Sequence, residues 1–292
     1  MNHTLYLPVT NIVLILVLKK KFMKQMEKTI FITGASSGLG KVAAMLFAEK
    51  GWNVIAAMRK PEAEKELIQI RNISILPLDV TDLVQIEKTV KKVIDMHTPE
   101  VVFNNAGYGL AGPFEGTTDE QIVQEINTNL LGVMRITKAF IPYFRERRSG
   151  LFITTTSIGG LAAFPFNSVY HATKWALEGW SESMSYELSK FGIRIKTIAP
   201  GGIATDFAGR SLAMAEHTAY NTLVEKVSKV FMERAGQQST ARQIAEVVYR
   251  AATDGKKQLR YIAGKDARLL YNLRKIFGYK FLMRQIDKRF FS

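Results

Sequence analysis

A strand-like run, Thr29–Thr33, leads straight into Thr33-Gly34-Ala35-Ser36-Ser37-Gly38-Leu39-Gly40 and then into a helical pattern over 36–50 closed by Gly51. No other feature narrows the fold as much. The glycines allow a tight turn and expose bare backbone N–H groups at the start of a helix, where the helix dipole favours an anion. At the first strand–helix junction, such a turn suits a dinucleotide pyrophosphate. The spacing here is G-x-x-x-G-x-G rather than G-x-G-x-x-G. The same residues also satisfy G-x-S-x-G through Gly34, Ser36 and Gly38, the turn that presents a nucleophilic serine in α/β-hydrolases. A hydrolase would carry that turn in mid-chain and an Asp/Glu and a His downstream. Here the last histidine, His217, lies in a polar helical stretch. A serine hydrolase on Ser36 and a dinucleotide sensor without chemistry are the rival readings.

Beyond the turn, short β-rich runs alternate with helical stretches. Asn53–Met58, 73–80, 101–105, 151–157, 193–199 and Arg260–Ala263 read as strands two to seven, with helices notably over 119–147 and 169–191. The strands are continuous Val/Ile/Leu-rich runs, as expected when helices cover both faces. The predicted fold class is therefore α/β, a doubly wound parallel sheet (Rossmann fold) of about seven strands. With 292 residues and no linker-like segment, one domain over 27–264 is expected, preceded by a leader (1–26) and followed by a basic helical tail (265–292).

The net charge of +14 is concentrated at the ends. Residues 1–28 carry five lysines against Glu27, and residues 265–292 carry eight Lys/Arg against Asp266 and Asp287, which leaves only +4 for 29–264. Such ends suit solvated helix faces or an anionic surface, whether membrane, nucleic acid or another subunit. The solvated reading comes first, and no nucleic-acid partner is expected. The apolar run 5–18 before Lys19-Lys20-Lys21 is too short to span a bilayer and lacks the order of a secretory signal, so the leader reads as non-native or membrane-associated. A cytoplasmic protein is expected, peripheral to a membrane if its ends engage one. Without cysteine, disulfides and thiolate metal sites are excluded, and four scattered histidines suggest no metal.

Tyr170 and Lys174 are four apart on a predicted helix, hence on one face, and Ser157 ends strand five thirteen residues before the tyrosine. A free phenol has a pKa of about 10 and is a poor base at neutral pH. A neighbouring ammonium is expected to lower it by about two to three units, roughly 3–4 kcal/mol of differential interaction. The phenol could then exchange a proton with a carbonyl or alcohol oxygen that Ser157 holds. His171 points elsewhere on the helix and reads as non-catalytic. Trp175 and Trp180 read as core or subunit packing.

At this point the chain resembles the short-chain dehydrogenase/reductase family over about 27–264. The resemblance rests on the Thr33–Gly40 turn, Asn104-Asn105-Ala106-Gly107, Asn129 in Asn129-Leu130-Leu131-Gly132, Ser157, Tyr170 with Lys174, and Pro200-Gly201. It implies Tyr170 as acid/base, Ser157 as substrate clamp, Lys174 on the nicotinamide ribose, and Asn129 anchoring a water that links Lys174 to solvent. It implies a cofactor site of Gly34, Ser36, Ser37, Gly38, Leu39 and Gly40, with Val80 and Gly107 in it and Asn105 and Ala106 on the adenosine side; Asp79, after strand three, reads as a contact to the adenine amine or an ordinary strand-end cap. Pro200, Gly201, Ile203 and Thr205 would lie by the nicotinamide carboxamide, and 207–236 would bind substrate. A homodimer or homotetramer is expected. Leu39 replaces the usual Ile and Thr173 the usual Ser; neither removes a reacting group.

Strand two ends at Met58 and is followed by Arg59 and Lys60, where an NAD enzyme of this fold usually has a carboxylate for the ribose. Arg59 can instead pair with a 2′-phosphate, so NADP (NADPH) is expected over NAD. The substrate is expected to be a carbonyl or alcohol, and similarity to the retinol and steroid dehydrogenase branch hints at an apolar one.

Overall fold

Ile30 and Ile32 of β1 (Thr29–Thr33) pack into one apolar layer and Phe31 into the opposite one, and all three are fully buried. The same alternation divides β2 (Asn53–Met58): Val54, Ala56 and Met58 join one layer, Ile55 and Ala57 the other. Strands buried on both faces require cover on both, which explains their uninterrupted apolar composition. In the computed structural model, residues 28–205, 211–233, 236 and 238–292 are described. The leader expected at 1–26 lies outside them, as do 207–210, 234 and 235 of the expected substrate segment.

In chain order, α1 (Gly38–Glu49) follows β1. After β2 come β3 (Ile73–Pro77), α2 (Leu83–Met96), β4 (Pro99–Asn104), the short β5 (Gly109–Ala111), α3 (Asp119–Ile126) and α4 (Gly132–Glu146). Then follow β6 (Gly150–Thr155), α5 (Ser168–Ser189), β7 (Ile193–Pro200), β8 (Ile203–Ala204), β9 (Leu212–Met214) and α6 (Asn221–Glu233). The chain ends in β10 (Ser239–Thr240), α7 (Ala241–Thr253), β11 (Arg260–Ala263) and α8 (Lys265–Phe291). Seven strands form one parallel sheet in the order β11-β7-β6-β4-β1-β2-β3, so the winding reverses between β1 and β4. Helices α1 and α7 cover one face through Leu46, Phe47, Ile244 and Val248. Helices α2, α4 and α5 cover the other, with Phe140, Phe144 and Leu188 in its core. Phe31 lies 5.3 Å from Phe140 and Phe144 5.1 Å from Phe152, ring to ring, which welds α4 to the sheet.

Three sequence readings are corrected. Strands three and five stop early, at Pro77 and Thr155, so Asp79, Val80 and Ser157 stand on the loops beyond the strand ends. The helix expected over 119–147 is interrupted by a π-turn, Asn127–Leu131, between α3 and α4. The basic tail is more than a solvated helix. Helix α8 kinks at Gly278 (φ +77°), and its Phe290 is buried with Val227 and Val230 of α6. Most basic residues of α8 are exposed, while an apolar stripe through Leu270, Leu273, Leu282 and Phe290 lines the cleft. A charge count sees the outer face and misses the inner stripe. Among the described residues, no helix is long and apolar enough to cross a membrane.

Candidate active site

In a doubly wound sheet, the crevice for ligands opens at the carboxyl ends of the strands where the winding reverses. Here that point lies between Thr33 of β1 and Asn104 of β4, and a cleft of about 1900 Å³ opens there. Ordinary small-ligand pockets are about 300–1000 Å³, so there is room for a dinucleotide and a substrate together. Ser36, Ser37, Gly38 and Leu39 border one end of the cleft, along with Gly34 and Arg59. Asp79, Val80, Asn105, Ala106 and Gly107 border it from the loops after β3 and β4, and Pro200, Gly201, Ile203 and Thr205 from the end of β7 and the segment that follows. Ser157, Tyr170 and Lys174 border it too, so the predicted residues converge. Gly40 and Asn129 are the exceptions: Gly40 packs behind the turn against the Gly34 carbonyl, and Asn129 is fully buried behind Tyr108.

The turn fits an anion. Gly34 has φ +67°, and a Cβ there would lie 2.7 Å from the Ala106 Cα. Gly38 has φ +53°, and a Cβ there would meet nothing closer than Thr205 at 4.0 Å, which leaves the cleft side of the turn open. Ser37 at the N-cap of α1 makes no side-chain cap bond, and the first turn holds no acidic residue. Helix-start N–H groups normally need a partner, and a pyrophosphate supplies one. Asn105 braces the turn rather than standing free. Its Nδ2 donates to the carbonyls of Thr33 and Gly34 at 3.3 Å, and its Oδ1 accepts from Thr155 Oγ1 at 3.2 Å. Asp79 Oδ1 accepts from Thr81 N and Oγ1 at 2.9 and 2.7 Å, so one of its oxygens ties its own loop.

Tyr170 and Lys174 project from α5, one turn apart. Lys174 Nζ lies 5.5 Å from the Tyr170 ring centroid and donates to the Thr155 carbonyl at 3.1 Å. Burial pushes the Lys174 ammonium down to about 8, with the charges of Glu125 and Glu178 opposing. Burial also pushes the Tyr170 phenol up; the Ser157 hydroxyl opposes and Glu125 adds to the rise. The expected lowering of the phenol by the lysine is therefore corrected. Burial outweighs the hydrogen bond from Ser157 that favours phenolate, and Lys174 is not among the groups that shift the phenol. Ser157 caps the short turn after β6, its Oγ accepting from Gly159 N at 2.9 Å.

His171 is a brace, not a reacting group. Its Nε2 accepts from Phe164 N at 2.9 Å, so Nδ1 carries the proton toward the Gly159 carbonyl at 2.7 Å, and burial holds the ring neutral-leaning. Trp175 is partly exposed, stacked under the Arg274 guanidinium of α8 at 4.5 Å, and neither it nor Trp180 borders the cleft. His217 lies 3.7 Å from Glu115 and near Tyr220, so the hydrolase reading finds no base for Ser36 there.

Two site residues escaped the sequence reading. Asp266, in the first turn of α8, accepts from Gly202 N at 2.8 Å and would collide with a Cβ at Gly201, so it clamps the loop after β7. Within a tail read for its basic charge, it gave no signal. Glu125 is fully buried, and its Oε1 accepts from Asn129 Nδ2 at 3.2 Å. Its spacing, four before Asn129, was the available clue.

A family model described as short chain dehydrogenase matches residues 28–216. An uncharacterised oxidoreductase of Bacillus subtilis is 33% identical over 279 residues, covering 91% of this chain and 99% of that protein. A 3-ketodihydrosphingosine reductase of Bacteroides thetaiotaomicron is 37% identical over 179 residues, 61% of this chain and 65% of that one. Among solved structures, a short-chain dehydrogenase from Streptomyces avermitilis superposes with a TM-score of 0.79 at 30% identity, covering 90% of this chain and 98% of that one. The structure described as ElxO with NADP bound superposes with a TM-score of 0.69 at 27% identity, covering 81% and 98%. The chain belongs to the short-chain dehydrogenase/reductase family. It is an oxidoreductase on a Rossmann fold.

Proposed function

We propose that the protein reduces apolar carbonyl compounds with NADPH. The observation that carries this is that Tyr170 and Ser157 line one cleft together with two unlike sets of residues. Toward β1 lie the Gly38 turn and the exposed Arg59; toward α8 the wall is Phe164, Phe231, Leu273, Phe281, Leu282 and Phe290. When bound, the nicotinamide supplies the hydride. Ser157 then holds the carbonyl oxygen, and Tyr170 gives its proton to that oxygen as negative charge develops on it. The phenol is protonated at neutral pH, as the donor in a reduction must be, and burial favours that form. Lys174 holds the cofactor ribose and offers positive charge to the phenolate left behind. Asn129 orders the floor of the site through Tyr108, whose N donates to Asn129 Oδ1 at 3.0 Å.

Arg59 is exposed at the end of β2, with no carboxylate after Met58 to repel a 2′-phosphate. The NADP bound to ElxO, a structural neighbour, agrees with that choice, and the ketone and long chain in the name of the 3-ketodihydrosphingosine reductase agree with an apolar wall. A cytoplasmic homodimer or homotetramer is the assembly proposed. The test is NADPH oxidation, followed by absorbance, over a panel of short and long-chain ketones and aldehydes. Tyr170→Phe is expected to abolish turnover and leave NADPH affinity within a few fold, because the phenol transfers a proton and contributes little to dinucleotide binding. Near wild-type turnover by that variant refutes the mechanism.

A further inference from the structure

Glu125 is a fully buried carboxylate beside the reacting groups that the mechanism above leaves unused. It ends α3 on the side of the π-turn, behind Asn129, and is 0% exposed. Its Oε1 accepts from Asn129 Nδ2 at 3.2 Å; its Oε2 is buried without a close hydrogen bond, and the Leu110 backbone N–H of β5 is the nearby donor that favours the charged carboxyl. The same Asn129 Nδ2 donates to the Tyr108 carbonyl at 2.7 Å, so the carboxyl is tied to the loop that floors the cleft. A Cβ at Gly107 would sit 2.9 Å from Asn129 Oδ1 and 3.8 Å from Lys174 Nζ, so the Asn129 amide and the ammonium both border Gly107. A buried oxygen without a close hydrogen bond is costly if charged and tolerable if protonated.

Resting on the reading of Tyr170 as proton donor, we propose that Glu125 is a positioning residue for the reaction, an ionisable carboxyl that keeps the Lys174 and Tyr170 protons in place as the medium becomes alkaline. The groups that face it are Lys174 and Tyr170 from α5 and Tyr108 from the loop before β5, while Glu178 acts on Lys174 from the next turn of α5. Burial pushes Glu125 up to about 8, with Lys174 and the Leu110 backbone N–H opposing. Below that value the carboxyl is neutral and casts no field. Above it the carboxylate raises both the ammonium and the phenol, which therefore hold their protons to higher pH. The residue thus supplies negative charge only in the range where the acid would otherwise be lost.

Glu125→Gln keeps the shape and the acceptor for Asn129 but cannot ionise. The alkaline limb of its kcat profile is expected to fall about one pH unit below that of the wild type, a tenfold rate difference above both midpoints. Glu125→Asp, which keeps the charge, is expected to recover part of that shift. The second readout needs no substrate: tyrosinate absorbance of each protein minus that of its Tyr170→Phe counterpart follows Tyr170 alone. Its midpoint is expected to drop by a similar amount in the Gln variant. A lowered midpoint supports the inference even if no carbonyl compound is turned over, an outcome that would refute the proposed reductase instead. An unmoved midpoint, or a Gln variant slowed equally at every pH, overturns it, because a merely structural carboxyl behaves that way.

Discussion

Arg59→Ala separates the two nicotinamide cofactors. Two cations border the cleft near the Gly-rich turn, Arg59 and Lys41. Lys41 is already engaged, with its Nζ 3.1 Å from Glu64 and 2.9 Å from Glu66. Arg59 is exposed and makes no ion pair or side-chain hydrogen bond among the described residues, so it is the cation available to a 2′-phosphate. A hydrogen bond to a charged group contributes about 1.5–3 kcal/mol, and exposure and salt reduce that to about 1–2 kcal/mol here. The dissociation constant for NADPH is then expected to rise about 5- to 30-fold, while that for NADH changes less than about twofold. Titrating each nucleotide by its fluorescence into wild type and variant measures this. The wild-type preference should also shrink as salt is raised, since the contact is screened. Equal losses for the two nucleotides, or none for either, would refute the assignment of Arg59.

Two further perturbations test the frame around the site. Phe290→Ala removes a buried ring that lies 5.3 Å from Phe231 and 6.4 Å from Phe164, so it is expected to cost about 3 kcal/mol and to raise KM for long-chain carbonyls more than for short ones. Denaturant melts and paired kinetics measure both, and a uniform change in KM would show that α8 does not form the substrate wall. Burial raises the Asp254 carboxyl, but hydrogen bonds from Lys196 at 2.7 Å and Tyr261 at 2.6 Å outweigh it and hold the group at about 2. Its folded value is depressed, so its contribution is present above the unfolded value of about 4 and lost as pH falls through about 2. The melting-temperature gap between wild type and Asp254→Asn should therefore close between those values, and a gap that stays constant over that window would contradict the linkage.

Local chemistry explains what the sequence disclosed. Strands with both faces buried must be apolar throughout, and a pyrophosphate turn must have glycine where φ is positive, as at Gly34 and Gly38. These requirements act on neighbours in the chain, so they leave contiguous motifs. Tyr170 and Lys174 are legible for the same reason, being one helical turn apart.

What stayed hidden depends on contacts between distant segments. Asp266 meets Gly202 across 64 residues, and the inner stripe of α8 acquires meaning only against Phe164 and α6. The direction of the Tyr170 shift belongs to this second kind. The motif supplies an ammonium four residues away, but the rise comes from the apolar surroundings of the helix and from Glu125, forty-five positions earlier. A motif identifies which groups react. Their affinity for protons is set by burial and by charges from other elements, and here both raise that of the phenol.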